Sequence, residues 1–159
     1  MPALEIDETD RRILEHLQRD GRLTNLELAD KIGLSPSPCL RRLRRLEEKG
    51  VIEGYSVKIN RKKLGLGLTV FVLLRLERYS NADPQLYRDQ FNAMPDVIAC
   101  HLISGTHDFL LQIVAEDLEA YRRFTLERLL KVPGIRDLES SFVIETMKET
   151  TTVPLRHLA

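Results

Sequence analysis

Apolar residues recur at helical spacing through the first fifty positions and in strand-like runs after residue 67, so the period of the pattern divides the chain. Ile13, Leu14 and Leu17 form one helical face; Asp7 and Asp10 predict a capping-box start for that helix, and Gly21 predicts its stop. Thr24 and Glu27 form a second capping box, with Leu23 and Leu28 placed as a hydrophobic staple. Leu28, Ala29 and Ile32 make the second apolar face, and Gly33 predicts its stop. Ser35 to Gly50, SPSPCLRRLRRLEEKG, predicts a third helix, with Ser35 as N-cap and Pro36 in the first position, where a missing N–H costs nothing. Leu40, Leu43 and Leu46 give it an apolar back, with Cys39 beside them. At about 100° per residue, Arg41 and Arg45 point away from that back, with Ser37 and Pro38 above them and Arg42 and Arg44 at the sides. Gly50 suits the left-handed position after the helix, and Val51 can fold back onto Leu46.

The second and third helices are separated only by Gly33-Leu34-Ser35. Two short helices joined by a tight turn, the second carrying arginines outward, make a helix-turn-helix. In that motif the first helix braces the nucleic-acid backbone and the second enters the major groove, where arginines hold phosphates and guanine edges and small residues allow close approach. The candidate DNA contacts are therefore Thr24 and Asn25 at the start of the bracing helix, with Ser35, Ser37, Pro38, Arg41, Arg42 and Arg45 on the reading helix. Val51 to Ile59 predicts a short hairpin or wing behind it.

After Leu64-Gly65-Leu66-Gly67 the pattern changes. Leu68 to Leu76 predicts a strand, and Asp83-Pro84 caps a helix with Tyr87 and Phe91 on its buried side. Val97 to Ile103 and Phe109 to Ala115 predict two strands joined through Gly105; Asp117 opens a helix with Tyr121, Phe124 and Leu129 available to its buried side; Ile135 to Ile144 predicts the last strand. The order is β-α-β-β-α-β, the ferredoxin-like arrangement, so the fold class is α+β: a winged helix-turn-helix followed by a ferredoxin-like domain. The expected boundaries are 1–59 for the first domain, 60–67 for a linker and 68–159 for the second domain. Two helices cover one face of such a sheet, which predicts a partner subunit on the other.

The 159 residues carry no formal net charge, but the charge is unevenly placed. Residues 31–63 hold ten Lys or Arg against three Asp or Glu, a local basic block of the kind a DNA contact needs. No apolar run is long enough to span a bilayer and no signal peptide is present, which predicts a cytoplasmic protein without membrane partners. Cys39 and Cys100 have no metal spacing, and in a continuous strand Cys100 and His101 point to opposite faces, so no metal site is expected. No nucleophile–base motif and no phosphate-cradling loop occurs, so neither catalysis nor a cofactor is expected.

The sequence resembles the family of the leucine-responsive regulatory protein and AsnC, the feast/famine transcription regulators. The resemblance runs through Asp7-x-x-Asp10-x-x-Ile13-Leu14, Leu34 to Arg42 with Arg45-Leu46-Glu47, Gly50-Val51-Ile52, Cys100 to Gly105 with Asp108, and Leu130 to Ile135. It implies a winged helix-turn-helix on double-stranded DNA, a ligand-sensing second domain, an amino acid as effector, and dimers that assemble further, commonly to octamers. Thr106 and His107 follow the turn glycine, where many members carry an acidic residue first. An amino acid presents an ammonium and a carboxylate, and the turn Ser104-Gly105-Thr106-His107-Asp108 can meet both: N–H groups around Gly105 for the anion and Asp108 for the cation. Leu102, Leu118 and Phe142 are the candidates to touch the effector's side chain. Asp108 can alternatively serve only to bond nearby backbone N–H groups. The alternatives to an effector-gated regulator are an architectural protein that wraps DNA with little effector response, and an enzyme or binding module in which the basic helix is incidental.

Overall fold

The computed structural model describes residues 5–77 and 84–158. The chain forms two compact units, one from residues up to 58 together with residues from 148 onward, the other from residues 59–147.

The first unit holds helices α1 (Glu8–Arg19), α2 (Asn25–Ile32) and α3 (Pro36–Glu48). Both expected capping boxes form, Asp7 with Asp10 and Thr24 with Glu27. Gly33 closes α2 at φ 71°, a left-handed conformation that suits a residue without Cβ; its N–H and that of Leu34 satisfy the carbonyls of Asp30 and Ala29. The same pair of bonds ends α3, from Gly50 N–H to Glu47 and from Val51 N–H to Leu46. Ser35 stands at the N-cap of α3, yet its hydroxyl makes no capping bond. Ile13, Leu14, Leu28, Ala29, Ile32, Cys39 and Leu46 form the core.

Two expectations change here. Val51–Ile59 does not form a hairpin: after a turn at Val51-Ile52, residues 53–60 have no strand pairing among the described residues. The second domain also does not run to the end of the chain. Leu155 is buried in the helical core of the first unit, Leu158 packs against it, and Lys58 lies 3.5 Å from Glu149. The two leucines need an apolar surface, and a core of three short helices is small enough to gain from them.

The second unit holds β1 (Leu68–Leu76), α4 (Pro84–Asn92), β2 (Val97–Leu102), β3 (Phe109–Ala115), α5 (Leu118–Glu127) and β4 (Ile135–Phe142). Asp83, expected to cap α4, lies outside the described residues. The sheet order is β2-β3-β1-β4, antiparallel throughout. Val70, Val72 and Leu74 alternate with Phe109, Leu111, Ile113 and Ala115 onto one face, where Tyr87, Phe91, Tyr121 and Phe124 from the helices cover them. Leu129 joins this core from a 3-10 turn beyond α5, not from the helix itself. On the opposite face Phe71 is 37% exposed.

Candidate nucleic-acid interface and ligand site

The reading helix is rotated from its expected orientation. Cys39 and Leu46 are fully buried and Leu43 packs against the core, whereas Leu40 lines an open groove among the arginines. The back is thus centred on Cys39, Leu43 and Leu46, and at about 100° per residue Ser37, Arg41 and Glu48 lie nearest the front, with Arg44 and Arg45 about equally far to its two sides. Among the described residues Arg41 and Arg44 make no ion pair or side-chain hydrogen bond, and both are exposed.

Arg42 and Arg45, expected on DNA, are engaged elsewhere. Arg42 Nη1 donates to Asp7 Oδ2 at 2.6 Å and to Asp10 Oδ1 at 3.0 Å. Arg45 Nη2 donates to Asp10 Oδ2. The Asp10 side chain is fully buried, so taking it from water is offset by these two cations and by the Asp7 N–H, which donates to Oδ2 at 3.3 Å. The Asp10 backbone N–H outweighs the opposing effect of burial and, with the Arg42 guanidinium adding to it, holds the Asp7 carboxyl below its usual range. These pairs were missed because residues 7–10 read only as a helix cap; the other signal, two acids facing two arginines across the helices, is long-range.

Thr24 and Asn25 are likewise committed within the fold. Thr24 completes its capping box, and Asn25 Nδ2 donates to the Pro36 carbonyl at 2.9 Å, fixing the turn between α2 and α3. Ser35 and Ser37 remain exposed and Pro38 is half-buried. Because positions 36 and 38 are prolines, Ser37 carries the one free N–H of the first three helical positions, at the positive end of α3.

In the second unit the turn after β2 closes on β1. Ile103 N–H donates to the Asp108 carbonyl at 2.9 Å, and Asp108 N–H to the Leu74 carbonyl at 2.8 Å. Asp108 Oδ2 accepts the Leu76 N–H at 2.7 Å, where the β1–β4 register shifts. The alternative role of this carboxylate, bonding backbone N–H, is therefore present, while Oδ1 has no partner among the described residues. Gly105 has φ 126°, a region closed to residues with Cβ. The N–H groups of Gly105, Thr106 and His107 donate to no acceptor among the described residues. A cleft of about 490 Å³ opens here, lined by Gly105, Thr106 and Asp108 with Arg75, Leu76, Glu77 and Arg136. The last four were missed, although the βαββαβ order already puts the end of β1 beside the start of β3. Arg75 Nε donates to the Thr106 carbonyl at 2.6 Å, and His107 Nε2 lies 3.7 Å from Glu139. Ser104 is exposed at the turn.

The three side-chain candidates do not join this cleft. Phe142 pairs with Val70 at the far end of the sheet and stacks edge-on against Tyr121, 5.5 Å between centroids. Leu118 opens α5. Leu102 stands on the opposite edge strand, at a second cleft with Cys100, Phe91 and Arg88.

Both halves of this geometry have known counterparts. Residues 6–53 match the model of a winged helix-turn-helix DNA-binding domain, and residues 69–153 match that of the Lrp/AsnC ligand binding domain. The chain belongs to the Lrp/AsnC family. It is 40% identical over 159 residues to the leucine-responsive regulatory protein of Escherichia coli (strain K12), covering 98% of this chain and 94% of that one. It is 39% identical over 150 residues to transcriptional regulator AzlB of Bacillus subtilis (strain 168), covering 94% and 96%. The crystal structure of a Neisseria meningitidis transcriptional regulator in complex with L-methionine superposes with a TM-score of 0.91 at 39% identity, covering 96% of this chain and 99% of that one. This Lrp/AsnC protein is thus a DNA-binding transcription regulator with an effector-binding domain, and not an enzyme. None of its described helices is long and apolar enough to cross a membrane.

Proposed function

We propose that this Lrp/AsnC regulator contacts operator DNA through the Ser37–Arg41–Arg44 front of α3, and that a free amino acid, bound at the turn of residues 104–108, changes that contact. The observation that carries the reading is the pair of exposed arginines, Arg41 and Arg44, unpartnered among the described residues, at about one helical turn's spacing behind a single free N–H at the helix start. Such a front suits guanine edges and a phosphate. At the turn, Asp108 Oδ1 takes the ammonium while the free N–H groups from Gly105 to His107 take the carboxylate. The Neisseria relative binds L-methionine, which makes a sulfur-containing or apolar amino acid the first to test.

The uncovered sheet face, which carries Phe71, supports a homodimer that presents two reading helices. Membership of the family supports further assembly toward an octamer and a place in the cytoplasm. Leu118 and Phe142, remote from the turn in one chain, reach an effector only if a neighbouring subunit brings them there. Calorimetry with a panel of amino acids tests the sensor: binding of at least one is expected, and binding of none rejects it. Selection of duplexes from a random pool tests the reader. Enrichment of a two-fold symmetric site is expected; no enrichment rejects sequence-specific binding.

A further inference from the structure

Four arginines lie within α3, yet its two paired ones share a single buried carboxylate. A helix with four mobile guanidiniums would bind any duplex, because each arginine on a phosphate adds about 0.9 to the salt slope whatever the sequence. Asp10 prevents that for Arg42 and Arg45. Both of its oxygens are occupied, Arg42 is held a second time by Asp7, and Arg45, whose side chain is still 42% exposed, has its Nη2 on Asp10 and its Nε buried without a partner among the described residues.

We propose that Asp10 sets the DNA selectivity of this protein by withholding Arg42 and Arg45 from phosphates, leaving recognition to Arg41 and Arg44. Asp10 is thus a positioning residue: it touches no DNA and acts through the two arginines it holds. The inference rests on α3 being the reading helix. Release of the pair adds sequence-blind affinity and lowers the ratio of operator to non-specific binding. A purely structural pair between α1 and α3 predicts the reverse, since loosening the motif weakens every duplex alike.

The test uses the full-length protein, a duplex it selects from a random pool, and a scrambled duplex of equal length, titrated over a range of salt. Asp10→Asn is expected to bind the scrambled duplex about fivefold more tightly at low salt, with the slope steeper by about one per subunit if Asp7 keeps Arg42 and by about two if both arginines are released. A folded Asp10→Asn protein with unchanged or weaker scrambled binding and an unchanged slope overturns the proposal. If that variant does not fold, Asp10→Glu and the triple variant Asp10→Asn/Arg42→Gln/Arg45→Gln, which leaves no buried carboxylate unpaired, decide. Asp10→Glu should keep wild-type selectivity. The triple variant should keep both its base preferences and its salt slope, and a flatter slope overturns the proposal by showing those arginines already on phosphate. Arg44→Ala should change the preferred base at one position of each half-site. Unchanged binding in both Arg41→Ala and Arg44→Ala rejects α3 itself as the reader, a failure recognisably different from that of the withheld pair.

Discussion

The side-chain amide of Gln18 clasps the backbone of Val153 from both sides. The Val153 N–H donates to Gln18 Oε1 at 2.7 Å, and Gln18 Nε2 donates to the Val153 carbonyl at 3.4 Å. The clasp lies two residues before Leu155, which is only 9% exposed in the core of the helical unit. The DNA-binding unit is therefore closed by the last residues of the chain, and two covalent connections, at 58–59 and 147–148, join it to the sensor unit.

This closure makes the tail a stability element. Leu155→Ala is expected to destabilise the helical unit by about 2 kcal/mol, the low end for a buried leucine, and Gln18→Ala by about 1 kcal/mol. Hydrogen exchange resolves the two units: amides around Ile13 and Leu14 should exchange faster in both variants, while those of β1 and β3 keep wild-type protection. Equal acceleration in both units would show that the tail does not belong to the helices.

Asp108 and Gly105 separate the turn's geometry from its charge. Asp108→Asn keeps an acceptor for the Leu76 N–H but removes the negative charge opposite an ammonium. It should fold normally and lose at least about tenfold in amino-acid affinity, a value within the range of a charge-assisted hydrogen bond. Gly105→Ala meets open space at its new Cβ, so its cost arises from φ 126° alone and should be about 1–3 kcal/mol. Calorimetry of ligand binding beside thermal melts reads both effects. Wild-type affinity in Asp108→Asn would assign the carboxylate to the turn alone.

Acid should loosen the helical unit through its caps. Asp7, ordinarily at 3.8, is lowered mainly by the Asp10 N–H; Glu27, ordinarily at 4.5, is lowered mainly by the Thr24 N–H. A carboxyl lowered by folding contributes stability above its unfolded value and loses it as pH falls through the folded one. The difference in stability between wild type and Asp7→Asn should thus be constant near neutrality and shrink below about pH 4. Tyr55 marks the alkaline side. The residue is 53% exposed; partial desolvation of its hydroxyl, then the hydrogen bond to Glu47, raise it from 10 to about 12, so its contribution should be lost as pH rises from 10 to 12. A Tyr55→Phe protein whose stability profile parallels wild type through that window would contradict this.

The elements were legible where the signal was local. Caps at Asp7 and Thr24, the stops at Gly33 and Gly50, and the alternation of β1 and β3 all lie within a few residues of what they determine. What the pattern hid was long-range. Leu40 reads as apolar back as well as Cys39 does, and only packing against α1 and α2 decides between them; the choice turns Arg44 toward the front and Arg45 away from its centre, and the ion pair with Asp10 then separates the two. Likewise Val153, Leu155 and Leu158 form too short a pattern to reveal that they return to the helices. Asp108 was recognised as a turn residue with two possible roles, and its bond to Leu76 depends on a register shift that no local pattern marks.

Amino-acid binding at residues 104–108 is proposed to change DNA contact by the α3 front. Fluorescence anisotropy tests it most directly, with a labelled duplex from the protein's own upstream region titrated with wild type and Asp108→Asn, with and without each amino acid. At least one amino acid, L-methionine foremost, should change wild-type affinity by about fivefold or more, within the usual range of allosteric coupling, and leave Asp108→Asn unchanged. Identical wild-type affinity across the whole panel would contradict the claim, as would an equal response in Asp108→Asn.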